Sequence, residues 1–145
     1  MTVHAGGGLD MLKAAVEGSQ GKVKILGVTV LTSLNKDHLF RIGMQGGTQF
    51  QAEIFAEIAS KAGCAGVVCS ARDLPFDFDP PTFIKAVPGI SLSGEQYGDQ
   101  QRVVSVKAAL DKGANILIMG RSINDSGDRI STIKTILTEI SNNVS

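Results

Sequence analysis

Short apolar runs alternate along the chain with longer stretches in which apolar residues return every three or four positions. Such alternation marks parallel βα units: a strand buried on both faces reads as a continuous apolar run, and the helix after it buries one stripe. The runs predict five strands, over Thr2 to Ala5, Lys24 to Leu31, Gly66 to Cys69, Phe83 to Val87 and Asn115 to Met119. The first begins almost at Met1, so the chain is expected to enter the alternation part-way, with no room for an earlier element. Leu9, Leu12 and Val16 make one helical stripe and Phe50, Ile54 and Ile58 a second, with Gly18 and Gly63 as stops. Ser105 can cap a short helix that ends before Gly113, and Ile130, Ile133, Leu137 and Ile140 share one face of the last helix. Nothing between these segments reads as an interdomain linker. The glycine run Gly6 to Gly8 lacks the spacing of a dinucleotide loop and the lysine of a P-loop, so it is read as structural.

Length narrows the architecture without fixing it. A complete eight-stranded (β/α) barrel takes about 250 residues, and this chain has 145. It therefore holds little more than half of a barrel, although an open doubly wound sheet of five strands fits the same length.

Composition works mainly by exclusion. With 43% hydrophobic and 19% charged residues the chain can bury one ordinary core. Fourteen basic residues balance fourteen acidic ones, so there is no overall field to hold a nucleic acid or an anionic membrane, and neither is expected as a partner. No apolar run approaches the roughly 18 residues of a membrane span, and no signal peptide opens the chain, so a soluble cytoplasmic protein is expected. Cys64 and Cys69 lie in an apolar stretch at a spacing that suits neither a disulfide framework nor a zinc knuckle. They are expected as buried free thiols.

Three segments carry candidate chemistry. The first runs Ile116-Leu117-Ile118-Met119-Gly120-Arg121-Ser122, a strand ending in Gly-Arg just before the last helix. Glycine lets a backbone N–H approach an anion, and the arginine fork can hold two phosphate oxygens; a surface salt bridge beside a turn is the plainer alternative. The second is Val87-Pro88-Gly89-Ile90 and the polar loop after it, from Ser91 through Gln100 to Arg102, where amides could close over a ligand. The third is Val28-Thr29-Val30-Leu31-Thr32-Ser33, which puts hydroxyls at a strand's end, where barrels keep their sites. Weaker candidates are His4, read as structural, and His38, read as surface. Asp77 and Asp79, set among prolines, are read as a solvated turn and not a metal site.

Taken in order, Val3-His4-Ala5, Val28 to Ser33, Gly66-Val67-Val68-Cys69-Ser70-Ala71, Pro88-Gly89-Ile90, Gly98-Asp99-Gln100 and Gly120-Arg121-Ser122 closely resemble the orotidine 5′-monophosphate decarboxylase family, over essentially the whole chain. The resemblance implies an α/β fold, the C-terminal part (about five βα units) of a TIM (β/α)8 barrel of the ribulose-phosphate-binding type. It implies decarboxylation of orotidine monophosphate to uridine monophosphate, with no metal and no organic cofactor, in a homodimer. Residue by residue, it implies that Thr32 touches the pyrimidine ring, that Gln100 clamps over the nucleotide, and that Gly120 and Arg121 grip the phosphate. Ser91 stands where many bacterial relatives carry arginine, so it would border the ligand without a charge-assisted contact.

An absence matters equally. The family's chemistry depends on a lysine at the second strand and an Asp-x-Lys-x-x-x-Asp array at the third, and this sequence holds no such array. No catalytic role is carried onto any residue here. The chain is expected to be a nucleotide- and phosphate-binding half without the catalytic strands. The alternatives are a non-catalytic binding module, a self-associating half-barrel, and a related barrel acting on a sugar phosphate.

Overall fold

The chain adopts the predicted alternation. The computed structural model describes residues 1–77, 80–92 and 102–143. Their order is β1 (Thr2–His4), α1 (Gly8–Ser19), β2 (Leu26–Val28), α2 (Lys36–Arg41), α3 (Gly47–Lys61), β3 (Gly66–Val68), β4 (Ile84–Pro88), β5 (Ile90–Ser91), β6 (Val104–Ser105), α4 (Val106–Asp111), β7 (Ile116–Ile118), α5 (Arg121–Asn124) and α6 (Arg129–Asn143). Single turns of tighter helix cover Ala5–Gly7 and Ala71–Asp73.

The five predicted strands form one sheet in the order β1-β2-β3-β4-β7, every neighbouring pair parallel. Four of the strands are shorter than their runs, and β4 has the predicted length shifted by one residue. Pairing nevertheless reaches past the strand ends: Ala65 N–H donates to Ile25 O at 2.9 Å and Thr29 N–H to Val68 O at 3.0 Å. The apolar runs therefore mark the paired length better than the regular strand does.

Register sorts the side chains into two faces. Val3, Gly27, Val67 and Lys85 are in register on one face, while His4, Val28, Val68 and Ala86 align on the other. The first face receives the helices. An added Cβ on Gly27 would stand 2.8 Å from the Ala59 methyl, so α3 lies against β2 with almost nothing between them.

That close approach corrects the predicted stripe of α3. Its buried face is Ala52, Phe55, Ala56 and Ala59, whereas Phe50 is 56% exposed. Small residues win the core face because a bulky one would push the helix off Gly27. α6 turns in part: Ile136 is its buried residue and Ile140 packs against the core as expected, while Ile130, Ile133 and Leu137 are exposed.

Helix ends follow the expected chemistry, with one shift. The Ser105 hydroxyl accepts from Ala108 N–H at 3.2 Å and caps α4. Past α3, Gly63 takes a left-handed φ of 83° and Cys64 N–H reaches back to Ala59 O at 3.0 Å, the paired closure that glycine permits. α1 runs through Gly18 and stops instead at Gln20, which adopts φ 50°.

The second face of the sheet is only partly covered. Val28 and Val68 are half-buried, and Ile116 and Ile118 on the edge strand β7 are exposed. All-parallel sheets ordinarily have both faces buried. Among the described residues this sheet is open, bounded by β1 at one edge and β7 at the other.

Candidate functional site

The C-terminal ends of β4 and β7 meet at one corner. β4 closes with Pro88, and Gly89 turns the chain at φ 76°, a left-handed backbone that a Cβ penalises. Space also demands glycine: an added Cβ would stand 3.1 Å from the Arg102 carbonyl oxygen and 3.6 Å from the Thr32 methyl. The Gly89 carbonyl accepts from Val104 N–H at 3.0 Å, and Ile90–Ser91 then pair with Val104–Ser105 in a two-stranded parallel ribbon. From the neighbouring strand, Gly120 and Arg121 lead into α5, whose Ser122 hydroxyl donates to Ile90 O at 3.1 Å.

Between the two strand ends lies a cavity of about 220 Å3, lined by Pro88, Gly89, Ile90, Ile118, Gly120, Arg121 and Ser122. One water occupies about 30 Å3 of liquid, and sites for whole drug-sized ligands run to about 300–1,000 Å3. The cavity therefore has room for a phosphoryl group and is smaller than a site for a whole drug-sized ligand. Arg121 is the charged residue of this lining, and apart from Gly120's chain neighbours no described residue lies within 4 Å of where a Gly120 Cβ would stand. An anion can approach that backbone beside a guanidinium.

One expectation about this corner changes. Gly-Arg does not open the last helix: it opens α5, a single turn of four residues, and α6 starts only at Arg129. So short a helix sums little dipole. Attraction for an anion rests on the Arg121 charge.

The other predicted residues distribute unevenly. Thr32 is half-buried in the turn after β2, its methyl 3.6 Å from where a Gly89 Cβ would stand, and it is not among the residues that line the cavity. Ser91 is fully buried in the β5–β6 ribbon and does not line the cavity. Gln100 and Asp79 lie outside the described residues. His4 is exposed at the end of β1. Asp77 is exposed, and its N–H donates to the Glu53 carboxylate at 2.9 Å. His38 is not a free surface residue: its Nδ1 accepts from Asn35 N–H at 3.4 Å, while the Asn35 side chain caps His38 N–H at 3.0 Å, a reciprocal box that starts α2. Among the described residues no group of three or more His, Cys, Asp or Glu side chains could hold a metal ion. Likewise, no helix among them is long and apolar enough to cross a membrane.

One buried pair escaped the sequence reading. Arg102 Nη1 donates to Asp73 Oδ1 at 2.6 Å, and Nη2 donates to Val30 O at 2.9 Å and Leu31 O at 3.2 Å. Asp73 is 1% and Arg102 6% exposed. Burial pushes the Asp73 carboxyl above its ordinary value, and the Arg102 charge pulls it back. Charged residues that flank apolar ones, as in Arg72-Asp73-Leu74 and Arg102-Val103, were the available signal.

The cysteines are buried and free. Cys69 is pushed up to about 12, by burial first and by the Asp73 charge second, against the opposing charges of Lys85 and Arg102. A thiol so protonated is no nucleophile. At pH 8, Cys69 is expected to resist a thiol reagent until the chain unfolds, as a count of reacted thiols with and without denaturant would show. Because an unfolded cysteine ionises nearer 9, this residue's contribution to stability is complete below that pH and is lost as pH climbs toward 12.

Gly89→Ala combines a left-handed backbone with a tight contact to a carbonyl oxygen. It is expected to cost about 1–3 kcal/mol, read as a lower urea midpoint.

Comparison with known proteins points one way. A family model described as "Orotidine 5'-phosphate decarboxylase / HUMPS family" matches residues 1–136. The orotidine 5′-phosphate decarboxylase of Oenococcus oeni is 36% identical over 142 residues, covering 96% of this chain and 62% of the relative. That of Nitrosococcus oceani is 37% identical over 147 residues, covering 98% and 63%. Among solved structures, orotidine 5′-phosphate decarboxylase from Lactobacillus acidophilus superposes with a TM-score of 0.74 at 27% identity, over 95% of this chain and 61% of that one. An uncharacterized conserved protein from Geobacillus kaustophilus shares the fold at a TM-score of 0.75 and 24% identity, over 95% and 61%. The chain thus spans a little over three fifths of the length of these relatives.

Proposed function

The chain belongs to the orotidine 5′-phosphate decarboxylase / HUMPS family, and from that premise we propose that it is the nucleotide-binding sector of a decarboxylase barrel. Its ligand is a pyrimidine nucleoside 5′-monophosphate: orotidine monophosphate as substrate and uridine monophosphate as product. One observation carries this reading. Gly120–Arg121 and Pro88–Gly89–Ile90 line a cavity with room for a phosphoryl group, and the Thr32 methyl lies next to Gly89. Arg121 and the Gly120 backbone take the phosphate, Thr32 takes the base, and Gln100 is proposed to add an amide from the segment after β5. Ser91, behind the ribbon, supports the wall and does not touch the ligand.

The decarboxylation step lies outside this sector. It would need a cation beside the developing carbanion and a proton to quench it, and no Asp-x-Lys-x-x-x-Asp array exists in this sequence. Residues 1–145 are accordingly proposed as one partial barrel that binds and does not turn over alone. We place it in the cytoplasm on the same family grounds.

Calorimetric titration with uridine monophosphate tests the binding reading. Saturable binding is expected, competed by inorganic phosphate and weakened about 50-fold or more by Arg121→Ala, since charge-assisted hydrogen bonds contribute about 1.5–3 kcal/mol each. Equal affinity in wild type and variant would remove the phosphate assignment. Stronger competition by a ribulose phosphate than by uridine monophosphate would favour sugar-phosphate chemistry instead.

The exposed face of α6 (Ile130, Ile133, Leu137) and of β7 (Ile116, Ile118) favours a second reading beside the first. We propose that these edges pair with a further barrel segment or with a second copy, giving a homo-oligomer. Light scattering after size exclusion should give a mass above that of the monomer, and a strictly monomeric mass would contradict it.

A further inference from the structure

Arg102 is placed where three strand-end loops meet. Its guanidinium bonds Asp73, from the loop after β3, and the carbonyls of Val30 and Leu31, the two residues before Thr32. Its own carbonyl is the atom an added Gly89 Cβ would touch at 3.1 Å, at the wall of the cavity. The neighbouring arginine reciprocates, as Arg72 Nη2 donates to Val103 O at 3.3 Å. Two arginines exchanged between the same two segments fix the β3 loop, the start of β6 and the approach to Thr32 relative to one another.

Stability does not account for this arrangement. Asp73 Oδ2 and Arg102 Nε are both buried and have no hydrogen-bond partner among the described residues. A buried ion pair that leaves polar atoms unsatisfied is commonly no better than apolar residues of the same size. What the pair supplies is geometry: the planar fork reaches a carboxylate on one side and two carbonyls on the other, which an ammonium cannot copy.

Resting on the reading of the cavity as a nucleotide site, we infer that Asp73 and Arg102 are positioning residues that hold the Thr32 turn at a fixed place beside Gly89 and the phosphate corner. They touch no ligand. They determine how well base and phosphate are recognised together, while the phosphate corner at Gly120–Arg121 stands on β7 and α5 without them.

The test compares two ligands on the intact chain. Arg102→Lys is expected to weaken uridine monophosphate about tenfold while leaving ribose 5-phosphate within about twofold, because misplacing one contact loses only the recognition that passes through it. Arg72→Lys, at an exposed strut that carries little folding risk, is expected to shift the same ratio in the same direction by about threefold. Equal losses for both ligands, or no loss for either, would overturn the inference. Hydrogen exchange gives a ligand-free reading. In Arg102→Lys, amides in 29–34 should exchange about ten times faster while those of α3 keep their rate; a uniform change across both segments would mean a merely structural role. If the wild-type chain binds neither ligand, the nucleotide reading fails, and exchange alone then decides whether the clamp holds the 29–34 segment.

Discussion

Asp73→Ala is expected to destabilise the chain by about 3–5 kcal/mol, because it leaves the Arg102 guanidinium buried without its counter-charge. Domains commonly have about 5–15 kcal/mol in total, so the variant should sit near the edge of folding. The size of the loss reflects an uncompensated charge, not the net worth of the pair. Replacing both partners at once, Asp73→Leu with Arg102→Met, should therefore recover most of the loss, since neither leaves a buried charge behind. Urea midpoints of the two singles and the double would close the cycle. A double variant as unstable as Asp73→Ala would show that the pair contributes stability outright.

Gly66→Ala is expected to cost about 3 kcal/mol through backbone crowding. Gly66 pairs with Ile84 between β3 and β4, and an added Cβ would run into the Ile84 carbonyl. A flexible side-chain tip could swing aside, but a carbonyl within a parallel ladder moves only with its strand. Overpacking of this kind costs about 1–3 kcal/mol in cores that can relax, and occasionally more. Because β4 carries Pro88 and Gly89 to the cavity, the same shift should weaken nucleotide binding in whatever fraction stays folded. Stability equal to wild type would mean that β3 and β4 tolerate a wider spacing than the register shows.

Much of this organisation was legible in the sequence. All five sheet strands overlap the predicted runs, because strands of a parallel sheet are rich in apolar residues, with His4 and Lys85 as polar exceptions. Gly120–Arg121 and Thr32 were legible as candidates because they follow such runs, and strand ends in barrels are where ligands sit. The helix faces were misread for a reason that single-residue periodicity does not carry. Phe50, Ile54 and Ile58 recur at helical spacing, but Gly27 selects the alanine face of α3, and that choice is a property of the neighbouring strand. The pairing of Asp73 with Arg102 was not legible on similar grounds, although each sits beside apolar residues. Its partners lie 29 residues apart, and each alone looks like an ordinary surface charge. Ser91 was read as bordering the ligand from its place after Pro88-Gly89-Ile90; the β5–β6 ribbon turns it inward, and so short a ribbon leaves no periodic signal.

We propose that residues 1–145 bind the nucleotide and do not turn it over. Decarboxylation of orotidine monophosphate by the purified chain, with intact mass verified and substrate above the concentration that saturates binding, measures that claim most directly. The expected result is bound nucleotide and no carbon dioxide above the uncatalysed rate. Turnover that disappears in Arg121→Ala would contradict the account, since it would locate a proton donor and a carbanion-stabilising cation within residues 1–145.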